Sequence, residues 1–205
     1  MNESHAVSCT AFAGRKRIAC GGLREVAAKA KALLDRNSHA QVLIFDDSTS
    51  ELIEVDFRGT PARVLQRIGE ITAAPSATES AQPDVEARRP GRPKLGVVGR
   101  EVTLLPRHWD WLANQPGGAS VALRKLVEHA RLANQGKDRL RRAQEAAYRF
   151  LSAMAGNEPG FEEAIRALFA GKREPFEEIV EPWPRDIQDH AKKLAAAVFS
   201  SAAPR

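Results

Sequence analysis

Hydrophobic and polar residues at the start of the chain follow first a hairpin pattern and then a helical one. Two short apolar runs flank Gly14-Arg15-Lys16, which is typical of a β-hairpin. Apolar residues then recur at helical spacing over residues 23–34, after the pair Gly21-Gly22. The pattern predicts a strand, a turn, a second strand and a helix.

The following segment repeats this order with different signals. Residues 41–45 form an apolar run of strand length, and residues 52–57 alternate apolar with acidic side chains as a half-buried strand does. Thr60 and Pro61 suit the N-cap and first position of a short helix. Residues 6–71 are therefore predicted to form a small ββαββα domain, antiparallel at least in its second hairpin.

The next stretch, residues 72–98, interrupts these patterns. Its first part is rich in Ala, Ser and Pro and has few large apolar residues, so it cannot bury enough surface to order itself. Pro90, Gly91 and Pro93 then disfavour a helix and favour an extended path. We predict a flexible linker that ends in a basic motif.

Residues 99–135 predict a strand-helix-helix unit. Residues 101–104 alternate as a short strand does, and Pro106 begins a first helix that ends at the turn 116–118. Ser120 suits the cap of a second helix over 121–132, which has a continuous apolar face. A lone strand needs a partner edge. Either the chain therefore dimerises through residues 100–132, or the unit packs on another part of the chain.

The last region, residues 137–200, predicts four helices with short Pro/Gly connections, a small helical bundle. The first of these carries an apolar stripe from Leu140 to Met154. We expect the aromatic side chains Phe161, Phe169, Phe176, Trp183 and Phe199 to fill the core. The predicted class is thus α+β: the N-terminal domain, the basic linker, the strand-helix-helix unit and the bundle.

The composition excludes several classes of protein, and the charge pattern indicates a class of partner. With 43% hydrophobic and 28% charged residues the chain has a globular composition. It has no apolar run long enough to span a membrane, and its start does not resemble a signal peptide, so we expect a cytoplasmic protein with no membrane partner. The net charge is only +5, but residues 88–142 hold 13 Lys or Arg and 4 Asp or Glu. This uneven distribution indicates that one segment contacts a polyanion, and DNA is the partner that we expect.

The residues that we expect to bind DNA lie in this basic stretch. An extended basic chain suits a minor groove, and Gly91-Arg92-Pro93 resembles the core of an AT-hook, with Pro90 where that motif usually has arginine. Residues 101–132 resemble a ribbon-helix-helix unit, whose paired strands enter the major groove. That resemblance implies a phosphate site at Gly118-Ala119-Ser120, whereas Glu101 departs from a groove-facing ribbon. The predicted DNA-binding residues are Arg88, Arg89, Gly91, Arg92, Pro93, Lys94, Arg100, Thr103, Gly118, Ser120 and Arg124.

The whole chain also resembles a bacterial family of uncharacterised proteins, domain-of-unknown-function family 2239. The resemblance implies one consistent architecture and no known activity. It is carried by AFAGRKRIACGGLREVA, LIFDDSTSELIEVDFRG, RRPGRPKLGVVGREVTLLPRHWDWLANQPGGASVALRKLVEHAR, GFEEAIRALFAG and WPRDI.

Catalytic chemistry has little support in the sequence. There is no phosphate-loop, nucleophile-elbow or zinc-binding motif, so we expect neither an enzyme nor a cofactor or metal. The pair Asp46-Asp47 reads as a solvated turn, and a small enzyme with an acidic site there is the least favoured hypothesis. Cys9 and Cys20 are expected as two buried thiols facing each other across the first hairpin. The main hypothesis is a DNA-binding regulator or nucleoid-associated factor, and the alternative is a protein-interaction adaptor without nucleic-acid contact.

Overall fold

The computed structural model describes residues 8–73 and 98–202, which form a mixed α+β structure. The predicted fold class is therefore confirmed. None of the helices in the described ranges is both long enough and apolar enough to cross a membrane. The elements in chain order are β1 (Ser8–Ala13), β2 (Lys16–Gly22), α1 (Leu23–Arg36), β3 (Val42–Asp46), α2 (Pro61–Ala73), α3 (Pro106–Ala113), α4 (Gly118–Ala155), α5 (Phe161–Phe169), α6 (Arg173–Val180) and α7 (Arg185–Ala202).

The described residues divide into two compact units. Residues 8–73 and 136–202 together form the first, which we call the two-segment unit, and residues 98–135 belong to the second, the middle unit. The long helix α4 begins in the middle unit and ends in the two-segment unit.

The first hairpin forms as predicted. Strands β1 and β2 pair antiparallel from Ser8 with Gly22 to Ala13 with Lys16, around a turn in which Gly14 has a φ of 55°. The register sets Thr10, not Cys9, opposite Cys20. Because neighbouring positions of a strand point to opposite faces, the two cysteines lie on opposite faces of the sheet. Cys9 is buried on the central strand β1, whereas Cys20 is exposed on the edge strand β2. The expectation of two buried thiols facing each other is wrong.

The second predicted hairpin forms only in part. Strand β3 pairs antiparallel with β1 and completes a sheet of order β2-β1-β3. The predicted strand over 52–57 is reduced to one bridge between Phe45 and Leu52. Two backbone bonds hold it, from the Asp46 amide to the Glu51 carbonyl at 2.9 Å and from the Ile53 amide to the Ile44 carbonyl at 2.8 Å. Its alternation persists in the burial, since Ile53, Val55 and Phe57 pack on the core. The apolar side chains are thus buried as predicted, although the backbone forms no continuous ladder of hydrogen bonds there.

Helix α1 packs on this sheet and α2 packs on α1, each with the apolar face that its sequence pattern predicts. Helix α1 buries Val26, Ala27 and Ala30, and α2 buries Val64 and Ile68. Pro61 is the first residue of α2. The hydroxyl oxygen of Thr60 accepts from the Arg63 amide at 3.4 Å, the bond expected of an N-cap.

One hydrophobic core joins the N-terminal sheet to the C-terminal helices. Phe12 of β1, Phe45 of β3 and Phe150 of α4 are all buried, with ring centroids 5.3–6.2 Å apart. Ile187 and Val198 of α7 belong to the same cluster. The sequence indicated separate regions at 6–71 and 137–200. The structure instead joins them through this shared cluster, whereas two smaller clusters, around Val26 and around Ile68, lie wholly within the N-terminal segment.

The predicted aromatic core of the C-terminal helices is correct except at one position. Phe176 and Trp183 are buried, and the Trp183 indole donates to the Pro159 carbonyl at 2.9 Å. Phe161 and Phe199 are partly buried against the same cluster. Phe169 remains 50% exposed at the end of α5, where its ring contacts Tyr148 edge-on.

Helix α4 is continuous, which corrects the prediction of two helices over 121–132 and 140–154. It also begins at Gly118, so Ser120 lies inside its first turn and is not its cap. Gly136 is the only helix-weakening signal in the connecting stretch, and a single glycine costs about 1 kcal/mol relative to alanine. The ion pairs Glu128–Arg131 and Asp138–Arg141 lie on either side of it and support the helix.

His190 of α7 is buried against the shared aromatic cluster. Its ring centroid is 4.4 Å from that of Phe150 and 5.5 Å from that of Phe12, and its nitrogens have no hydrogen-bond partner among the described residues. Burial lowers the pKa of His190 from 6.5 to about 4; the nearby positive charges of Lys193 and Arg17 act in the same direction, and Asp47 opposes them. The ring is therefore neutral in the folded protein at pH 7.

This burial predicts a loss of stability in mild acid. The unfolded chain binds a proton at His190 near pH 6.5, but the folded chain does so only near pH 4. The stability that the neutral His190 ring contributes is therefore fully present above pH 6.5 and is lost as the pH falls toward 4. We expect His190 to lower the free energy of unfolding by about 2 kcal/mol between pH 7 and pH 5. Urea unfolding of His190→Phe should lack this loss, whereas His39→Gln, at an exposed histidine, should keep it. Equal losses in both variants would contradict the assignment.

Candidate nucleic-acid interface

The predicted site divides between residues that the structure describes and residues that it does not. Arg88, Arg89, Gly91, Arg92, Pro93 and Lys94 lie outside the described residues. The remaining predicted residues all belong to the middle unit. They are Arg100, Thr103, Gly118, Ser120 and Arg124.

The predicted strand at 101–104 does not form in the single chain. Residues 98–105 have no regular secondary structure, and the strand prediction is wrong for this chain taken alone. The physical reason is the missing partner edge, because a strand is held by hydrogen bonds to a neighbour. Arg100 and Thr103 are exposed here, as are the apolar side chains of Val98 and Val102.

Helix α3 buries one large side chain and leaves its tryptophans exposed. Pro106 occupies the first turn, where a proline costs no backbone hydrogen bond. Leu112 is buried, but Trp109 and Trp111 are 42% and 52% exposed. Both tryptophans of α3 are therefore exposed in the single chain.

The turn between α3 and α4 depends on glycine. Gly117 and Gly118 have φ values of 85° and 74°, which residues with a side chain rarely adopt. A Cβ atom on Gly117 would also lie 3.1 Å from the side chain of Val121. The turn delivers the chain into α4 with Ser120 exposed in the first helical turn.

Arg124 lies one turn further along α4 and reaches back toward its start. Its Nε donates to the Ser120 carbonyl at 3.0 Å, which leaves the terminal nitrogens of an exposed guanidinium available. The first amide groups of a helix have no partner within the helix, and its N-terminus carries a partial positive charge. The Gly118 amide already donates to the Gln115 carbonyl at 2.9 Å, so the amide donors that lie near Arg124 at the beginning of α4 are those of the residues after Gly118.

Further cations in the middle unit were not among the predicted residues. Arg107 and Lys125 are exposed and, like Arg100 and Arg124, have no ion pair with any described carboxylate. Arg131 differs, because it contacts Glu128 at 2.7 Å and lowers the pKa of that carboxyl group. Because Lys125 directly follows the predicted residue Arg124, the sequence alone could have indicated it as a further cation of this site.

The apolar face of α4 that the sequence predicts is largely uncovered in the middle unit. Ala122 is buried, but Leu126 and Val127 are 49% and 63% exposed. Leu132 and Leu105 are also about half exposed. The middle unit therefore combines unpaired cations with an apolar surface that nothing in the described chain covers.

The acidic turn after β3 is occupied by its own hydrogen bonds. Asp46 accepts from the amides of Ser48 and Thr49 at 2.7 and 2.9 Å. Asp47 accepts from the hydroxyl groups of Ser8 and Thr10 at 2.9 and 2.6 Å. Burial acts to raise the pKa of each carboxyl group. The pKa nevertheless lies below its usual value, for Asp46 because the Ser48 hydroxyl and the two amides donate to it, and for Asp47 because the two hydroxyl groups and the charge of Lys193 act together. No group of three His, Cys, Asp or Glu suited to a metal ion occurs in the described ranges.

Comparison with known proteins places the chain in a family. The fold is that of a helix-rich α+β protein whose described residues divide into two units. A family model described as an uncharacterised protein conserved in bacteria matches residues 8–195, so the chain belongs to domain-of-unknown-function family 2239. No curated protein and no solved structure matches the chain. The family resemblance is confirmed, and the ribbon-helix-helix and AT-hook resemblances stay predictions.

The turn geometry predicts unequal effects of two similar substitutions. Gly118→Ala places a side chain in the left-handed region but in open space, whereas Gly117→Ala adds a close contact with Val121. We expect about 1 kcal/mol of local destabilisation for Gly118→Ala and more for Gly117→Ala. Hydrogen exchange of the α3 amides measures the difference. Equal protection in the two variants would show that the contact with Val121 is relieved at no cost.

Proposed function

We propose that the chain is a cytoplasmic DNA-binding protein, a transcriptional regulator or nucleoid-associated factor. The observation that carries the proposal is the combination, within one small unit, of unpaired arginines and an uncovered apolar helix face. The basic motif at 88–94 precedes this unit directly in the sequence. Lys and Arg side chains without carboxylate partners are free to contact phosphates.

The start of α4 supplies the proposed phosphate contact. Amide groups of its first turn and the guanidinium of Arg124 both donate hydrogen bonds, and the helix dipole favours an anion at this end. Ser120 adds an exposed hydroxyl group. A contact of this kind positions a protein on DNA without reading the base sequence.

A second copy of the chain is the partner that we propose for the uncovered face. Residues 101–104 alternate as a strand does but pair with no strand in the described ranges, and a second copy offers the same segment in return. A two-fold pairing would give both segments a partner and would cover Leu126 and Val127. The resulting ribbon would present Thr103 to the major groove.

A protein-interaction adaptor is the second candidate. The observation that favours it is the same exposed face, since an uncovered apolar patch also suits a different protein. The two candidates differ in their response to DNA and to salt. A chain that binds no DNA at low ionic strength would be assigned to the adaptor class.

DNA binding should weaken steeply with salt and depend on the basic motif. We expect Arg89→Ala, Arg92→Ala and Lys94→Ala together to reduce the slope of log K against log salt by about 2.7, because each lost phosphate contact removes about 0.9. The measurement is a salt series on an A·T-rich duplex.

The control for this series is the triple variant Arg36→Ala, Arg63→Ala, Lys172→Ala, which removes the same charge from exposed positions of the two-segment unit. Its slope should match that of the unmodified chain. Similar slopes for both triple variants would contradict a specific role for residues 89–94.

The proposed pairing predicts a dimer whose stability depends on α4. Leu126→Asp with Val127→Asp should shift the molar mass from dimer to monomer, since two carboxylates would be buried against an apolar surface. Sedimentation at micromolar concentration measures the mass. Gln135→Asp, on a different face of the same helix, should leave the dimer intact. An unmodified chain that sediments as a monomer would exclude the shared ribbon.

A further inference from the structure

A cleft in the two-segment unit lies apart from the residues assigned to DNA. Its walls come from the turn after β3, from the second part of α4 and from α7, and its volume is about 660 Å³. That size is in the range of pockets that hold small molecules. Every lining residue belongs to the two-segment unit, and none is needed for the proposed DNA contacts.

The cations of the cleft fall into two kinds. Lys193 contacts Asp47 at 3.3 Å, and Arg149 donates to the Thr49 carbonyl at 2.9 Å and approaches Glu51 at 3.7 Å. These two cations balance the carboxylates beside them.

Arg139 and Arg142 are different because no described carboxylate pairs with them. The only hydrogen bond that Arg142 makes to the described chain runs from its Nε to the Asp138 carbonyl at 3.2 Å, within the same helix. Glu145, the remaining acid of the cleft, is paired on its other side with Arg141, 4.0 Å away. Two unmatched guanidinium groups therefore remain, three residues apart on one helix, where side chains are neighbours.

Four of the residues that line the cleft are apolar, most of them small, and we call this set the floor. It consists of Ala143 and Ala146 of α4 and of Leu194 and Ala197 of α7. Small side chains leave room for a flat or apolar body above them, and the hydroxyl-bearing residues Ser48, Thr49 and Ser200 also line the cleft.

We propose that this cleft binds a small organic phosphate, with the phosphate between Arg139 and Arg142 and a planar apolar body on the alanine floor. A guanidinium offers a planar fork of donors that fits phosphate oxygens, and two forks suit a group with three terminal oxygens and nearly two negative charges. A carboxylate would occupy only one of them. The ligand class follows from this match of charge and shape, independently of the proposed DNA binding.

Calorimetric titration of the full chain with adenosine 5′-monophosphate tests the proposal. We expect saturable binding, with adenosine and inorganic phosphate each at least tenfold weaker, because each lacks one half of the match. Arg139→Gln with Arg142→Gln should weaken binding of the nucleotide by about tenfold per arginine. Ala197→Leu, at an exposed floor position, should weaken the nucleotide and leave inorganic phosphate unchanged.

Arg141→Gln is the matched control, since Arg141 lies on the same helix but is paired with Asp138 and does not line the cleft. Its affinity for the nucleotide should equal that of the unmodified chain. All three arginines are exposed, and circular dichroism confirms that each variant folds.

Three results would overturn the proposal. The first is no saturable binding of the nucleotide at millimolar concentration. The second is an equal loss in Arg141→Gln and in the double variant, which would reduce the effect to net charge. The third is a loss of affinity for duplex DNA in the double variant, together with no binding of the nucleotide to any variant. That result would assign both arginines to the DNA-binding surface, and the proposed DNA-binding function would stand.

Discussion

The contact between Phe12, Phe45 and Phe150 is the interaction on which the two-segment unit depends. Two of these rings come from the sheet within the first 46 residues, and the third comes from a helix more than 100 residues later. Aromatic side chains bury a large apolar area each and prefer tilted or edge-on contacts at these distances. Because aromatics are only 6% of the chain, a few of them must hold the core together, and alanines and aliphatic residues fill the space around them.

The same core explains why one histidine is tolerated without a hydrogen-bond partner in the described chain. His190 packs its ring against Phe12 and Phe150, so its aromatic body fits the cluster even though its nitrogens are unsatisfied there. Burying such polar atoms costs free energy unless they find partners. The apolar contacts offset this cost at neutral pH, when the ring carries no charge.

Local patterns predicted the elements well, and they failed where a distant partner decides the outcome. The hairpin around Gly14, helix α2 behind Thr60 and Pro61, and the C-terminal helices follow from spacing and turn residues. The strands at 52–57 and 101–104 did not form, because alternation specifies which side chains are buried but not whether a neighbouring edge exists. The prediction for α4 was wrong in the opposite way, because it divided one continuous helix into two. One glycine in a favourable sequence does not end a helix.

The candidate sites show the same difference between features set by local sequence and features set by distant partners. The cations of the middle unit lie close together in sequence, so a count of charges along the chain was sufficient to find most of them. The cleft could not be found that way, because its acidic turn, its arginines and Lys193 come from segments separated by about 90 residues and then about 50. Only the spacing of Arg139 and Arg142 on one helix was visible beforehand.

The shared core also orders events during synthesis. A ribosome completes β1 and β3 long before it reaches Phe150, and the last core residues of α7 follow some 50 positions later. Phe12 and Phe45 must therefore wait for nearly the entire chain before they are covered, and contacts of such high sequence separation form slowly. Nascent chains of this protein therefore expose an aromatic sheet surface until α4 and α7 have been made.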